Sequence, residues 1–348
     1  MFTKWLVAVA LICASAFSVA GEAAANKHAH GKKAAVVATV HKSVVKKAAV
    51  KAVKRQRVRH AKSSVRHVTR TTHARKVTPR RYAVARSDDG RLVVMSSMVL
   101  VVSQDNEQTI YAKHSDIRSP IASLTKLMTA MVVLDANLPL SEPLMITQDD
   151  VDMLRGSSSR LPVGSILSRE DMLHLALMSS ENRAASALSR AYPGGRRAFV
   201  EAMNRKAREI GMTQGHFIDP TGLHAENSAT AQDLVKMVKA SYQYPLIRRF
   251  STSESYDVAL NEHSLPVHFR NTNALIKNDN WDIGLSKTGY INEAGRCLVM
   301  QARIAQQPVI IVLLDSQGTY ARIGDANRLK KWIETKALRA SSRTAKLG

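Results

Sequence analysis

The sequence predicts an α+β fold: an antiparallel β-sheet flanked by helices, with an inserted all-helical subdomain. Three observations carry this. Short apolar runs with turn residues between them open the folded part near Ser87. At Ile121 the apolar spacing changes to a helical period, and residues 145–245 stay mainly helical. After about residue 250 strand-like runs return, and a helix follows them. Strands, helix, helical block, strands, helix is the order of a sheet packed by terminal helices with a helical insertion.

The start of the chain predicts an export signal. Lys4 gives a positive start, residues 5–17 are apolar, and Ser18-Val19-Ala20 ends in small residues, so cleavage is expected after Ala20 or a nearby alanine. The apolar run is shorter than the ~20 residues of a membrane helix; an uncleaved anchor is the alternative. Cys13 is not read as a lipoprotein site, because Ile12 before it is too large. Without the leader, Cys297 is the only cysteine and cannot form an internal disulfide. Its surroundings, Arg296-Cys297-Leu298-Val299-Met300, read as a buried strand, so packing explains it better than catalysis.

Residues 21–86 predict a disordered basic tail. Of the formal net charge of +23 over 348 residues, 19 Lys plus Arg lie in residues 26–86, which hold no Asp or Glu. Lys4 and Glu22 cancel, which leaves +4 for residues 87–348. The stretch lacks Leu, Ile, Phe and Trp and cannot bury a core that offsets the entropy of ordering. It is either a solvated spacer or an electrostatic tether to an anionic cell-wall or membrane surface. Export argues against nucleic acid. Its six histidines lack regular metal-ligand spacing.

Residues 87–338 are expected to form the folded domain, with a short tail at 339–348. Residues 92–95 and 98–102 read as strands, 104–107 as a turn and 109–112 as a returning strand. Ile121, Leu124, Leu127, Met128, Met131 and Leu134 recur at helical spacing, and Asn137 and Pro139 end that helix. Thr147 with Asp150, Ser168 with Asp171 and Thr230 with Asp233 each fit a helix start in which an acid follows Ser or Thr by three residues. Residues 281–290, 296–304 and 308–314 are the best later strands, the last two joined through Gln306-Gln307-Pro308 as an antiparallel hairpin. A last helix is expected over about 320–337. No internal repeat is evident.

Ser123 and Lys126, in Ser123-Leu124-Thr125-Lys126, are three apart at a helix start and so share a face. A serine hydroxyl attacks only when a base takes its proton. Lysine serves as that base only when burial or a nearby cation lowers its pKa. Free N–H groups at a helix start can also help hold an oxyanion. The pattern alone is weak, because Ser43-Val44-Val45-Lys46 also has it. Two later elements strengthen it. Ser180-Glu181-Asn182 follows an apolar run 57 residues after Ser123, and Lys287-Thr288-Gly289 ends a strand-like segment 107 residues after Ser180. Ser-x-x-Lys, Ser-x-Asn and Lys-Thr-Gly in this order form the set of class A β-lactamases and penicillin-binding proteins.

With these motifs in place, the chain resembles the low-molecular-mass penicillin-binding proteins, the serine D-Ala-D-Ala peptidases, and within them the D-alanyl-D-alanine endopeptidase branch. The similarity covers roughly residues 95–338. It includes Arg155-Gly156-Ser157-Ser158-Ser159, Ser179-Ser180-Glu181-Asn182-Arg183-Ala184-Ala185, Asp219-Pro220-Thr221-Gly222-Leu223 and Arg270-Asn271-Thr272-Asn273. The resemblance implies that Ser123 attacks the carbonyl after a D-alanine and Lys126 takes its proton. Ser180 relays a proton to the leaving amine, and Asn182 holds Lys126 and the substrate amide. Lys287 and Thr288 meet the substrate carboxylate or the matching β-lactam group, and Gly289 lets the strand pass close. The backbone N–H groups of Ser123 and Tyr290 form the oxyanion hole. The family needs no metal or other cofactor.

Four functions are compatible with these motifs. A class A β-lactamase needs a Glu after Ser-x-Asn to activate water. Glu201 lies in the right region, but its sequence Glu201-Ala202-Met203-Asn204 lacks the required form and belongs to a helix over 199–210, so penicillin is expected to inhibit rather than to be hydrolysed. A carboxypeptidase acting on stem pentapeptides shares the acylation chemistry and differs in its leaving group. Only residues 339–348 follow the last predicted helix, too few for the second β-domain and amphipathic anchor of the common membrane-bound carboxypeptidases; this favours a soluble periplasmic endopeptidase acting on peptidoglycan cross-links. A catalytically inactive wall-binding module is the non-enzyme reading, opposed by the completeness of the motif set.

Overall fold

The computed structural model describes residues 92–261 and 264–344. The predicted export signal, the basic tail, the Ser43 motif and residues 345–348 lie outside the described residues. Strands β1 (Ser96–Ser103) and β2 (Thr109–Lys113) open the fold, followed by the short β3 (Ser119–Pro120). Helix α1 (Thr125–Asp135) comes next, then the pair β4 (Pro143–Met145) and β5 (Ile166–Ser168). Helices α2 (Arg169–Met178), α3 (Asn182–Arg190) and α4 (Gly195–Glu209) precede the short β6 (Ser228–Ala229), and α5 (Ala231–Tyr242) and α6 (Pro245–Ser251) follow it. After β7 (Ser255–Val258) and β8 (Val267–Arg270), three ten-residue strands return: β9 (Asp282–Ile291), β10 (Gly295–Ile304) and β11 (Gln307–Ser316). Helix α7 (Ala321–Thr344) is the last element described.

The main sheet has the order β2-β1-β11-β10-β9, antiparallel throughout. Both faces are covered, which is why β1, β10 and β11 are apolar almost continuously. Period-two alternation sorts their side chains. Val99 and Val101 of β1 join Leu298, Ile311 and Leu313 beneath Leu329 and Ile333 of α7. Met98, Leu100 and Val102 face the helical layer with Val299, Ile310 and Val312. The fold is thus the expected α+β arrangement, and β9 is left as an edge strand facing the helical layer.

Helix α1 lies at the centre of that layer and touches α2, α3, α4, α5 and α6. It is buried all round from Thr125 to Val133, as a helix apolar on every side must be. Each fully buried Leu or Met contributes about 1.5–3 kcal/mol, so the helix that carries Lys126 is held from all directions.

The structure departs from the sequence expectations at several places, among them helix α7, which runs on to Thr344, past the expected end at about 337 and into the expected short tail at 339–348. Residues 92–95 are not a strand. The Met95 and Ser96 amides donate to the buried Asp325 carboxylate of α7 at 2.8 and 2.7 Å, where a sheet partner would otherwise stand. Helix α1 begins at Thr125, because Ala122 takes a left-handed φ of +47° and Ala122–Leu124 forms a 3₁₀ turn. The capping box Thr147/Asp150 closes only a 3₁₀ turn, Gln148–Asp150. There Asp150 also accepts from Ser186 and Arg190 at 2.9 Å, and the chain leaves in extended form at Val151. The helical layer also carries the two-stranded pairs β3–β6, β4–β5 and β7–β8. At Ser168/Asp171 and Thr230/Asp233 the predicted caps do start helices, α2 and α5.

Candidate active site

Ser123 sits in the 3₁₀ turn between β3 and α1, with Lys126 one turn on, inside α1. Lys126 is fully buried, and its Nζ lies 2.8 Å from Ser123 Oγ, 2.7 Å from Asn182 Oδ1 and 2.7 Å from the Thr221 carbonyl. A neutral amine has two N–H donors and one lone pair. The amide and carbonyl oxygens accept the two donors, so the lone pair is left for the Ser123 hydroxyl. Burial pushes the Lys126 pKa down to about 7, against the opposing pull of the Asp219 and Glu181 carboxylates. Base activation of a serine hydroxyl requires such a contact and a lysine pKa lowered towards the neutral range.

Two loops hold these partners in place. Asp219 gathers the segment after α4 by accepting from the amides of Thr221 (2.6 Å), Gly222 (2.8 Å) and His224 (3.0 Å), and so presents the Thr221 carbonyl to Lys126. Asp152 likewise folds the segment before β5, accepting from the amides of Leu154, Arg155 and Ser157 at 2.8–3.0 Å. Ser157 Oγ then accepts from Asn182 Nδ2 at 3.0 Å, which fixes the amide so that its oxygen faces Lys126.

Ser180 lies between α2 and α3 with a positive φ of +63°. A non-glycine residue held there costs on the order of 1–3 kcal/mol and persists where its surroundings demand it. Here the demand comes from β9: Lys287 Nζ donates to Ser180 Oγ at 2.8 Å and to the Thr288 carbonyl at 2.9 Å. Burial lowers the Lys287 pKa well below the usual lysine range, and the charges of Lys126 and Arg322 add to this. Thr288 Oγ1 donates to Thr272 Oγ1 at 2.7 Å. Tyr290 is exposed at the cleft edge, with the Arg296 guanidinium 4.6 Å from its ring centre.

Close backbone approach joins the sheet to the Ser123 turn. A Cβ on Gly289 would stand 2.9 Å from the Ile121 carbonyl oxygen and 3.1 Å from the Ser123 nitrogen. A Cβ on Gly222, whose φ is +82°, would stand 2.0 Å from the Ala122 carbonyl oxygen. Only glycine fits at Gly222, and any side chain at Gly289 would push β9 off the serine.

All eight sequence-derived residues thus line one cleft between β9 and the helical layer. Lys126 contacts both Ser123 and Asn182, Ser180 meets Lys287, and Gly289 abuts Ser123. Thr288 turns to Thr272 and Tyr290 stays at the rim. Sequence reasoning missed the parts played by Thr221, Ser157 and Arg322. Thr221 acts through its carbonyl, which no side-chain pattern reveals, although Asp219 two residues earlier is a recognisable turn former. Arg322 of α7 donates to the Gly289 and Cys297 carbonyls of β9 and β10 at 2.9 and 3.0 Å; its position carries no local signal. Glu201 is exposed on α4, with Arg197 3.9 Å away. Cys297 is fully buried in β10, and burial pushes its thiol up to about 11.

An antiparallel sheet faced by a helical layer, with Ser-x-x-Lys, Ser-x-Asn and Lys-Thr-Gly meeting in one cleft, defines an active-serine peptidase of the penicillin-binding class. The chain belongs to the peptidase S11 family, whose model, described as D-alanyl-D-alanine carboxypeptidase, matches residues 83–318. It is 49% identical over 251 residues to the D-alanyl-D-alanine endopeptidase of Pseudomonas aeruginosa, covering 72% of this chain and 81% of that one. It is 48% identical over 242 residues to the D-alanyl-D-alanine endopeptidase of Escherichia coli, covering 70% and 78%. Its fold is similar to the crystal structure of the Streptomyces K15 DD-transpeptidase, with a TM-score of 0.64 at 27% identity, covering 69% of this chain and 97% of that one.

Proposed function

We propose that this enzyme cuts D-alanyl cross-links of peptidoglycan through an acyl-enzyme on Ser123. The observation that carries the reading is the buried Lys126 amine 2.8 Å from Ser123 Oγ, with its remaining donors satisfied by Asn182 and Thr221. Lys126 takes the hydroxyl proton as Ser123 Oγ bonds to the D-alanyl carbonyl carbon. The Ser123 and Tyr290 amides hold the oxyanion. The C–N bond then breaks as a proton passes through Ser180 to the leaving amine. Water hydrolyses the resulting ester and restores the Ser123 hydroxyl. Lys287 and Thr288 hold the carboxylate on the leaving side.

The near-50% identity to two proteins named endopeptidases supports a leaving group that belongs to a neighbouring stem rather than a terminal D-alanine. Exposure of Glu201 on α4 supports slow deacylation, so penicillin should remain as a covalent adduct on Ser123. Residues 1–20 support export to the periplasm, and the acid-free stretch 26–86 supports contact with an anionic wall or membrane surface. No described helix is long and apolar enough to cross a membrane.

Digestion of purified cross-linked muropeptide dimers, with products identified by mass, tests the reading. Monomers with intact D-alanine ends are expected, and Ser123→Ala should abolish them. Loss of one alanine per stem would instead mark a carboxypeptidase, and unchanged cleavage by Ser123→Ala would remove the serine from the mechanism.

A further inference from the structure

One charged pair at the cleft mouth has no part in the acylation chemistry. Arg155 Nη2 donates to Glu293 Oε1 at 3.1 Å, and Nη1 lies 3.0 Å from Oε2, so the contact is two-pronged. Arg155 Nε also donates to the Leu223 carbonyl. Arg155 follows the Asp152 turn that carries Ser157, Leu223 follows Gly222 against the nucleophile, and Glu293 lies in the β9–β10 turn. The pair therefore spans the cleft from the helical layer to the sheet. It remains wet, with the side chains 23% and 48% exposed. A solvated ion pair of this kind contributes little to stability. It presents a fixed cation beside a fixed anion, with unused guanidinium N–H groups and carboxylate lone pairs towards solvent.

Its place along β9 identifies the part of the substrate it faces. Gly289 abuts Ser123, so the scissile carbonyl lies level with it. Lys287 is on the leaving-group side of that point. Glu293 is on the other side, past Tyr290, where the acyl-donor stem must run. Four residues of strand and turn correspond to on the order of 10 Å, the reach of one alanine plus a long side chain. In a wall stem the amine-bearing residue directly precedes D-alanine, and the donor stem carries it with the amine free wherever that amine is not itself cross-linked.

We propose that Arg155 and Glu293 form a subsite for the acyl-donor residue preceding D-alanine, and select a side chain ending in both a carboxylate and an ammonium group. The carboxylate meets the outward N–H groups of Arg155 and the ammonium meets Glu293, giving four alternating charges without opening the existing pair. Charge-assisted hydrogen bonds are the stronger kind, and the guanidinium fork suits a carboxylate. Both residues are positioning and specificity residues and touch no reacting atom.

This inference rests on the acyl-enzyme reading above, and the test separates the two. The full-length enzyme is given two soluble cross-linked peptide dimers, identical except that the donor-stem residue before the cross-linking D-alanine has either a free zwitterionic side chain or the same side chain with its amine acetylated and its carboxylate amidated. The wild type is expected to prefer the zwitterion by about tenfold in kcat/KM, equivalent to about 1.4 kcal/mol. Glu293→Gln and Arg155→Gln should each bring that ratio towards one. The charge-swapped pair Arg155→Glu with Glu293→Arg restores the bridge but not the preference. A wild-type ratio near one overturns the inference, as does a ratio that survives both single substitutions or returns in the swapped pair. Because each ratio is taken within one protein, partial loss of folded enzyme does not alter it. Cleavage of neither peptide by the wild type would instead count against the acyl-enzyme reading.

Discussion

Lys287 Nζ and Ser180 Oγ, 107 residues apart in the chain, meet at 2.8 Å across the cleft between β9 and the helical layer. Ser180 stands two residues before the Asn182 that accepts from Lys126, and the two lysines are coupled through their charges. The Lys126 charge is among the causes that lower the Lys287 pKa. Two buried cations this close disfavour each other, and one lysine is expected to be neutral while the other keeps its proton.

The first prediction is that acylation by penicillin falls away on the acid side of about pH 7, because acylation needs Lys126 neutral and its pKa is about 7. Stopped-flow acylation rates across the pH range measure this acid limb.

Glu181 lies against this network, and Ser159 Oγ donates to its carboxylate at 2.7 Å. Its negative charge opposes the fall in the Lys126 pKa. Glu181→Gln removes that charge, so the folded-state pKa of Lys126 should drop further and the acid limb should move to lower pH. An acid limb that stays in place or moves up would show that Glu181 does not act on Lys126 through its charge.

Lys126→Ala should leave the fold largely intact and reduce acylation by about 10²–10⁴-fold, the usual contribution of a general base. Labelling with a fluorescent penicillin, followed over hours, measures this. Ser157→Ala tests the next layer. It removes the acceptor that fixes Asn182, at about 1 kcal/mol, and should slow acylation several-fold without abolishing it.

Two glycines with similar dihedral angles should respond differently to alanine. Gly222 and Gly164 have φ of +82° and +92°, so both substitutions carry backbone strain of about 1 kcal/mol or more. Gly164 has nothing within 4 Å of an added Cβ, whereas at Gly222 the Cβ would strike the Ala122 carbonyl. Gly164→Ala should lower the Tm slightly and keep activity. Gly222→Ala should displace the Ser123 turn and lose acylation together with several degrees of Tm.

Cys297 should be chemically silent in the folded protein. It is fully buried, its Sγ donates to the Ala294 carbonyl at 3.3 Å, and burial raises its thiol to about 11, so little thiolate exists near neutral pH. A thiol reagent should label it only after denaturant is added.

The grouping of the cleft residues was legible in the sequence because it follows from side chains in ordered motifs. Ser123, Lys126, Ser180, Asn182 and Lys287-Thr288-Gly289 form ordered motifs, and the apolar periods around them named the elements on which they stand. The α+β order was readable for the same reason, since periods of two and 3.6 leave a mark in the sequence. What the sequence did not reveal depends on backbone atoms and on contacts between distant segments. The Thr221 carbonyl that accepts from Lys126, the left-handed turn at Ala122 that delays α1, the Asp325 carboxylate that accepts from the Met95 and Ser96 amides, and the reach of Arg322 to Gly289 have no local pattern. Each is decided by which distant segment comes to lie opposite, and only the packed tertiary structure makes that choice.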